Sequence, residues 1–466
     1  MLRHFVAVAC LLASGCQLAV NFEECNKDVD CAGHSDAGIA YCTSDHLCIA
    51  DVPEERLCTS GFYGADHTNP DTIMIAGLFR LSGAAGPKDA EMAQAAQMAI
   101  TELRDINQTR PIGLVLCDTG GDKTLAPRSI EHALSQYKIV GVVGPTTSSD
   151  VIASSVFVVA HDIAIISASA TSPAIAGIDD HGLIWRTAAN DNLQATVLAA
   201  VVPVMMSAQA PAPTQVNLSY VDSAYGSGLR SAFVNEWTKR SGAGPKATHA
   251  FKEGGSPDSI TADLASDTPD YSVIVADSDA AAIVGALYKN PAGLTTTQFL
   301  FTDGAKGPEL IGVMPNPMVT SRIRGTAPAT PSGSVFDNFK LNYIDLFKSD
   351  PTNTSFVANA YDATYALTLA IAGSPPDAPV GGSTIAAALM RMSTPASLKV
   401  SVGPVDFIKG ATALSGGGKI DLAGASGPLT WDNATGDLTE APIEVWGITG
   451  NPPRFCTYNA SLTLCP

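Results

Sequence analysis

From residue 72 onward the chain alternates short apolar runs with longer segments in which apolar residues recur every three to four positions. Ile73-Met74-Ile75-Ala76-Gly77-Leu78 reads as a buried strand, and Asp89 to Asn107 then sets Met92, Ala95, Ala96, Ala99, Leu103 and Ile106 on one helical face. The cycle continues with a strand over 112–117, a helix over 125–137, a strand over 139–143, a helix over 150–161 and a strand over 163–167. A second series follows a helix over 193–207, with strands over 216–221, 272–276 and 298–301 and helices over 228–240 and 279–288. Strands that are apolar throughout, without a period of two, belong inside parallel sheets covered on both faces. The pattern predicts an α/β fold with two doubly wound parallel sheets, hence two lobes and a cleft. Helices over 356–372 and 383–391 and a hairpin around Asp432-Asn433-Ala434-Thr435-Gly436 complete the expected elements.

The N-terminus has a different pattern. Arg3 and His4 precede an apolar run from Phe5 to Leu12, followed by Ala13-Ser14-Gly15-Cys16. This reads as an export signal over 1–15, with a run far short of the roughly 20 residues needed to span a bilayer. Cys16 directly after small residues resembles the lipidated cysteine of bacterial lipoproteins, favoured over an ordinary signal peptide with an incidental cysteine, although Ala13 stands where leucine is usual. The stretch from Ala195 to Ala208 is interrupted by Pro203 and suits a buried helix and turn. The expected location is therefore outside the cytoplasm, facing the periplasm or cell exterior, with the membrane reached through a lipid anchor.

Residues 16–70 are dense in cysteine and poor in apolar material. Cys25, Cys31, Cys42, Cys48 and Cys58 leave five, ten, five and nine residues between them. Disulfides replacing a core are the expected role in an exported chain. Zinc held by these thiols with His34 and His46 is the competing reading, but the close cysteine pairs of zinc sites are missing. Five is odd, which leaves Cys58 to pair outside the head, with Cys456 and Cys465 as candidates. Cys117, at the end of an apolar strand, reads as a buried free thiol.

Composition narrows the function. With 27 Lys and Arg against 45 Asp and Glu, the net charge is −18. A field of that sign works against nucleic acid or an anionic membrane surface as the principal partner. The eight histidines are scattered, and neither a Gly-x-Ser-x-Gly elbow nor a His-Glu-x-x-His helix occurs. Asp118-Thr119-Gly120 resembles an aspartic-protease triplet, yet that chemistry needs two carboxylates sharing a proton and no second triplet is present. Asp118 reads as a loop acid, and the expectation is no catalysis, cofactor or metal.

Binding chemistry is better supported. In parallel α/β sheets ligands bind beyond the carboxyl ends of the strands, at helix N-termini. Two such ends carry hydroxyl-rich turns: Gly144-Pro145-Thr146-Thr147-Ser148-Ser149-Asp150 and Ser167-Ala168-Ser169-Ala170-Thr171-Ser172-Pro173. Together they offer Ser148 Oγ, Thr171 Oγ1 and main-chain donors to one carboxylate, without Lys or Arg.

These turns, with Gly77-Leu78…Ser82-Gly83, Trp185-Arg186-Thr187, Tyr225-Gly226-x-Gly228 and Gly427-Pro428-Leu429-Thr430-Trp431-Asp432, resemble the type I periplasmic binding proteins, in particular the leucine/isoleucine/valine-binding branch. The likeness runs in order from about 72 to 450. It implies a two-lobed fold joined by a three-segment hinge, with 72–190 plus 326–428 in one lobe, 191–325 plus 429–450 in the other, and 451–466 as a tail. It further implies that Ser148, Ser169, Ala170 and Thr171 hold a ligand carboxylate, that Tyr225 closes over the ligand, and that Asp303 holds an ammonium with Asp277 as a second acid nearby. The implied role is capture of an amino acid or similar small zwitterion, with an ABC permease as partner. Two departures stand out. Gly121 and Thr147 occupy positions where some members have a cysteine bridge, and the loop after Ser82-Gly83 carries Pro87-Lys88, leaving side-chain specificity open. The alternative role is an envelope lipoprotein that binds no small molecule and uses the same fold as an interaction scaffold.

Overall fold

The structure, a computed structural model, describes residues 41–42, 48–49, 57–106, 110–207, 215–289, 296–314, 322–375, 378–395 and 397–458. The export segment, Cys16, Cys25, Cys31 and Cys465 lie outside these residues. The chain divides after Leu57. In the first unit Tyr41–Cys42 (β1) and Cys48–Ile49 (β2) form an antiparallel pair, with Cys42 opposite Cys48.

The second unit begins at Cys58 and contains both lobes. Its first sheet comprises Gly61–Gly64 (β3), Ile73–Phe79 (β4), Ile112–Asp118 (β5), Gly141–Val143 (β6), Ala164–Ser167 (β7) and Ile184–Arg186 (β8), in the order β3-β5-β4-β6-β7-β8. All pairings are parallel except that of β3 with β5. The helices Gly86–Leu103 (α1), Leu125–Tyr137 (α2) and Ser148–Ala160 (α3) connect the strands. Because side chains alternate across a strand, Ile75 and Phe79 of β4 join one core with α1, while Met74, Ala76 and Leu78 join another with α2 and α3. A strand with cores on both faces must be apolar at every position, as β4 is.

The chain then crosses through Asp191–Ser207 (α4) to a seven-stranded sheet. Its strands are Val216–Val221 (β9), Ala247–Phe251 (β10), Tyr271–Val275 (β11), Gln298–Phe301 (β12) and Ile323–Pro328 (β13), with helices Ala224–Ser241 (α5), Pro257–Asp267 (α6), Ala280–Lys289 (α7) and Pro308–Gly312 (α8). It returns to the first lobe as Ser334–Phe347 (α9), Val357–Ala372 (α10), Gly382–Leu389 (α11), Leu398–Ser401 (β14), Pro404–Ser415 (α12), Ile420–Ala423 (β15) and the hairpin Trp431–Asp432 (β16) and Asp437–Leu438 (β17). It ends in the second sheet as Ile443–Thr449 (β18) and Arg454–Thr457 (β19), antiparallel neighbours beyond β13 in the order β10-β9-β11-β12-β13-β18-β19.

Several boundaries differ from the sequence expectations. Residues 61–64, expected in the cysteine-rich head, are an edge strand of the first sheet. Cys58 is bonded to Cys117, so it pairs with neither Cys456 nor Cys465, and Cys117 is not a free thiol. Antiparallel pairing of β3 with β5 brings the two cysteines together, a contact that spacing along the chain cannot reveal. Cys456 is also disulfide-bonded. Leu429, Trp431 and Leu438, expected with the second lobe, lie in the first-lobe core, because the hairpin packs on β8 and Trp431 Nε1 donates to Arg186 O at 2.6 Å. Residues 454–457, expected in the tail, extend the second sheet.

Candidate functional site

The tips of β6 and β7 are laced together. Gly144 leaves β6 at φ 98°, where a Cβ would lie 2.4 Å from Leu78 O, so only glycine fits this turn. Thr147, extended, caps α3 by accepting from Asp150 N at 3.0 Å. Ser148 Oγ accepts from Ser172 N at 3.1 Å, Ser169 Oγ donates to Thr146 O at 2.8 Å, and Ser167 Oγ donates to Pro145 O at 2.6 Å. Arg186, at the end of β8, fixes the second tip from behind. Its Nη1 donates to Ala170 O and Ser172 O at 3.2 and 2.8 Å, while its Nε and Nη2 bind Asp437 of the hairpin.

The structure thus brings Ser148, Ser169, Ala170 and Thr171 together, with unequal availability. The Ala170 amide is engaged by Ser167 Oγ at 3.1 Å, whereas the buried Thr171 hydroxyl makes no hydrogen bond. Thr171 O instead accepts from Asp191 N at 3.0 Å, which places Asp191, the first residue of α4, beside the same tip.

The opposing lobe supplies Tyr225 and Asp303. Tyr225 stands in the first turn of α5, after Ser223 and before Gly226, whose Cβ would meet Val221 O at 1.9 Å. Its hydroxyl donates to Asp303 Oδ1 at 2.8 Å and lies 2.7 Å from Thr302 Oγ1. Asp303 follows β12 and is 2% exposed. Burial raises its pKa, against the opposing influence of Lys88, Tyr225 and Gln194. Asp191 is raised well above the ordinary carboxylate range by burial and then by the charge of Asp303, which the Thr171 hydroxyl and Arg186 oppose. Both Asp191 oxygens lack a hydrogen-bond partner, and neither acid forms an ion pair among the described residues.

Asp277 does not join this pair. At the tip of β11 its Oδ2 takes Arg80 Nη1 at 2.6 Å and its Oδ1 takes Lys88 Nζ at 3.1 Å, both from the first lobe. Arg80 and then Lys88 outweigh burial and hold its carboxyl well below the usual range. Arg80 is further held by Asp89 through Nε at 3.0 Å and Nη2 at 2.9 Å. Lys88 Nζ also donates to Gly304 O at 3.0 Å, and Ala224 N donates to Ser149 Oγ at 3.3 Å. These bonds join the lobes directly. With a cation on each oxygen, Asp277 is set against Arg80 and Lys88 of the first lobe rather than left without a cationic partner like Asp303.

Sequence reasoning missed Asp191, Arg80 and Lys88 as cleft residues. Asp191 carried a readable signal, an acid opening a helix just after Trp185-Arg186-Thr187 on the strand next to β7. Asp118 is the loop acid expected, its Oδ1 accepting from Leu81 N, Ser82 N and Gly120 N at 2.8, 3.3 and 2.8 Å. Among the described residues no group of His, Cys, Asp and Glu could hold a metal, and no helix is long and apolar enough to cross a membrane.

Two α/β lobes crossed three times by the chain, with strand tips facing one another over buried polar groups, define the two-lobed clamp class. Residues 72–435 match the family model described as periplasmic binding protein, and the chain belongs to that family, whose members act outside the cytoplasm. It is 26% identical over 338 residues, 71% of this chain and 73% of the relative, to the chemotactic signal transduction system substrate-binding protein BasB of Halobacterium salinarum. Similar solved structures include the leucine-binding protein LivK of Thermotoga maritima, with TM-score 0.65, 21% identity, and coverage of 83% of this chain and 99% of that one. Another is a solute-binding protein of an R. palustris ABC transporter in complex with 4-hydroxybenzoate, with TM-score 0.66, 12% identity, and coverage of 82% and 95%. At these identities the likeness is one of fold. The relatives are solute-binding proteins.

Proposed function

We propose that the chain is an extracytoplasmic receptor that closes its lobes over a small α-amino acid. The observation that carries this reading is the juxtaposition of Asp191 and Asp303, two buried acids without a cationic partner, beside the unpartnered hydroxyl of Thr171. A ligand ammonium between the acids would offset their repulsion and desolvation, since a buried charge is tolerated when paired. The ligand carboxylate would take the Ser148 and Thr171 hydroxyls, with the N-terminal dipole of α3 behind them. Tyr225, already bonded to Asp303, closes the second side.

Lipid attachment at Cys16 would hold the receptor at its membrane. The closed surface would be read by an ABC permease, or by a transducer of the kind suggested by the name of the Halobacterium relative. The scaffold alternative is less well supported, because a protein that binds no solute gains nothing from a buried, unpaired acid couple.

A thermal-shift screen with L-amino acids tests the proposal, since a ligand at 100 times its dissociation constant adds about 2.7 kcal/mol of stability. No shift with any amino acid, amide or small carboxylate would favour the scaffold. Asp303→Ala is expected to weaken an amino acid by about 100-fold, roughly the worth of a charge-assisted bond, while changing its des-amino analogue little. Equal losses for both ligands would remove Asp303 from the ammonium role.

A further inference from the structure

We propose that Lys88 sets the side-chain specificity of the cleft, restricting the ligand to an amino acid with a short side chain and excluding branched aliphatic ones. This inference rests on the amino-acid reading above. Its first support is the order of strand tips. Along the edge of the first sheet the tips run β5, β4, β6, β7, β8. The groups assigned to the ligand's α-carbon substituents lie at the last three: Ser148 after β6, Thr171 after β7 and Asp191 after β8.

Neighbouring strands are about 4.8 Å apart. The tip of β4, which leads to Arg80 and the first turn of α1, therefore lies one to two strand spacings beyond the carboxylate site. That is the span over which an amino-acid side chain extends. The second sheet repeats the arrangement, with Asp277 after β11 and Asp303 after the adjacent β12.

The second support is how Lys88 fills this end. It is 5% exposed, and its main-chain N donates to Glu309 Oε1 at 3.0 Å. Its Nζ bridges Asp277 Oδ1 and the carbonyl of Gly304, the residue after Asp303, and stands 5.7 Å from the centre of the Phe356 ring. An ammonium has three donors, so one N–H remains after these two bonds. A leucine side chain reaching the β4 tip would cover that donor with methyl groups or displace a lysine bonded on two sides. A methyl or hydroxymethyl side chain stops short of it.

The test is titration calorimetry of the full chain with L-alanine, L-serine, L-leucine and L-isoleucine, alongside the complete thermal-shift screen. The wild type is expected to bind alanine or serine at least ten times more tightly than leucine or isoleucine. Lys88→Met, confirmed as folded by its melting transition, is expected to shrink that ratio at least tenfold. Leucine bound as tightly as serine, or a screen in which only longer side chains register, overturns the inference and leaves the receptor reading intact. A folded Lys88→Met protein with the wild-type ratio removes Lys88 from the role. Should Lys88→Met not fold, the wild-type ranking decides alone. If no amino acid registers in the screen, the receptor reading falls and this inference with it.

Discussion

The Thr171 hydroxyl is buried without a hydrogen bond of ordinary length and only tempers the raised pKa of the neighbouring Asp191, so removing it should cost the empty protein little. Thr171→Val is expected to leave the melting temperature without ligand unchanged or slightly raised, while weakening an amino acid about tenfold, the worth of one hydrogen bond. Calorimetry and thermal unfolding on the same sample separate the two effects; a large fall in unliganded stability would show a structural role instead. Asp191 and Asp303 add a pH dependence. Both are acids raised in the folded state, so the folded chain holds protons more tightly than the unfolded one. Unliganded stability is therefore expected to decline as pH rises from the ordinary carboxylate value near 4 through the raised values. Amino-acid affinity is expected to increase over the same interval as the acids ionise. Asp191→Asn should flatten the stability decline, and an unchanged stability profile in urea unfolding would argue against the repulsion. The hydroxyl tips could be read from the sequence because caps and turn residues are local. The engagement of Asp277 by Arg80 and Lys88 could not, since it joins residues 197 and 189 positions apart across two sheets.

At the level of elements, agreement was best where buried runs stood within the strand–helix alternation. Helix α2 spans 125–137 as its periodicity predicts, and β9 and β12 span the predicted runs, because their apolar positions face cores. Of the strands missed, β8 and β18 are well buried but one is only three residues long and the other stands outside the strand–helix alternation, whereas β10, β13 and β3 have less to bury. β10 is an edge strand with two of its five residues exposed, two half-buried and one buried, and β13 is built largely of small and polar residues, with Gly325 lying against the Trp446 ring. β3 is two glycines around Phe62 and Tyr63, held to β5 by pairing and by the Cys58–Cys117 bond. That bond closes a loop with a sequence separation of 59. Replacing both cysteines by alanine is expected to lower stability by roughly 4 kcal/mol on the chain-entropy argument, with amide exchange at β3 accelerating first. Uniform acceleration across the sheet would show that β3 does not open on its own. In the loop after β15, both Asp362 oxygens accept main-chain donors, from Ala425 N and Ser426 N at 2.7 Å each. An asparagine could accept only one and would turn its amide towards the other, so Asp362→Asn is expected to cost roughly 2–3 kcal/mol in urea unfolding.

For the whole molecule, Asp277 joins the lobes through its bonds to Arg80 and Lys88. Its carboxyl is held well below the ordinary range, so the bridge is fully present above that range and is lost only as pH falls through the lowered value. Asp277→Ala leaves Lys88 buried with a carbonyl as its remaining partner, an imbalance of roughly 3–5 kcal/mol against the closed arrangement. Small-angle scattering of the unliganded variant is expected to give a larger radius of gyration than the wild type, and an identical profile would show that other contacts hold the lobes. The three crossings also govern the order in which the protein can be finished. Trp431 and Leu438 complete the core of the first lobe, and β18 and β19 close the second sheet, where Trp446 is fully buried. Neither half is whole until residues 431–457 have left the ribosome. A nascent chain stalled earlier exposes the edge of β13 and leaves empty the slot over Gly325 that the Trp446 ring fills, so neither lobe can complete its core before the last strands arrive.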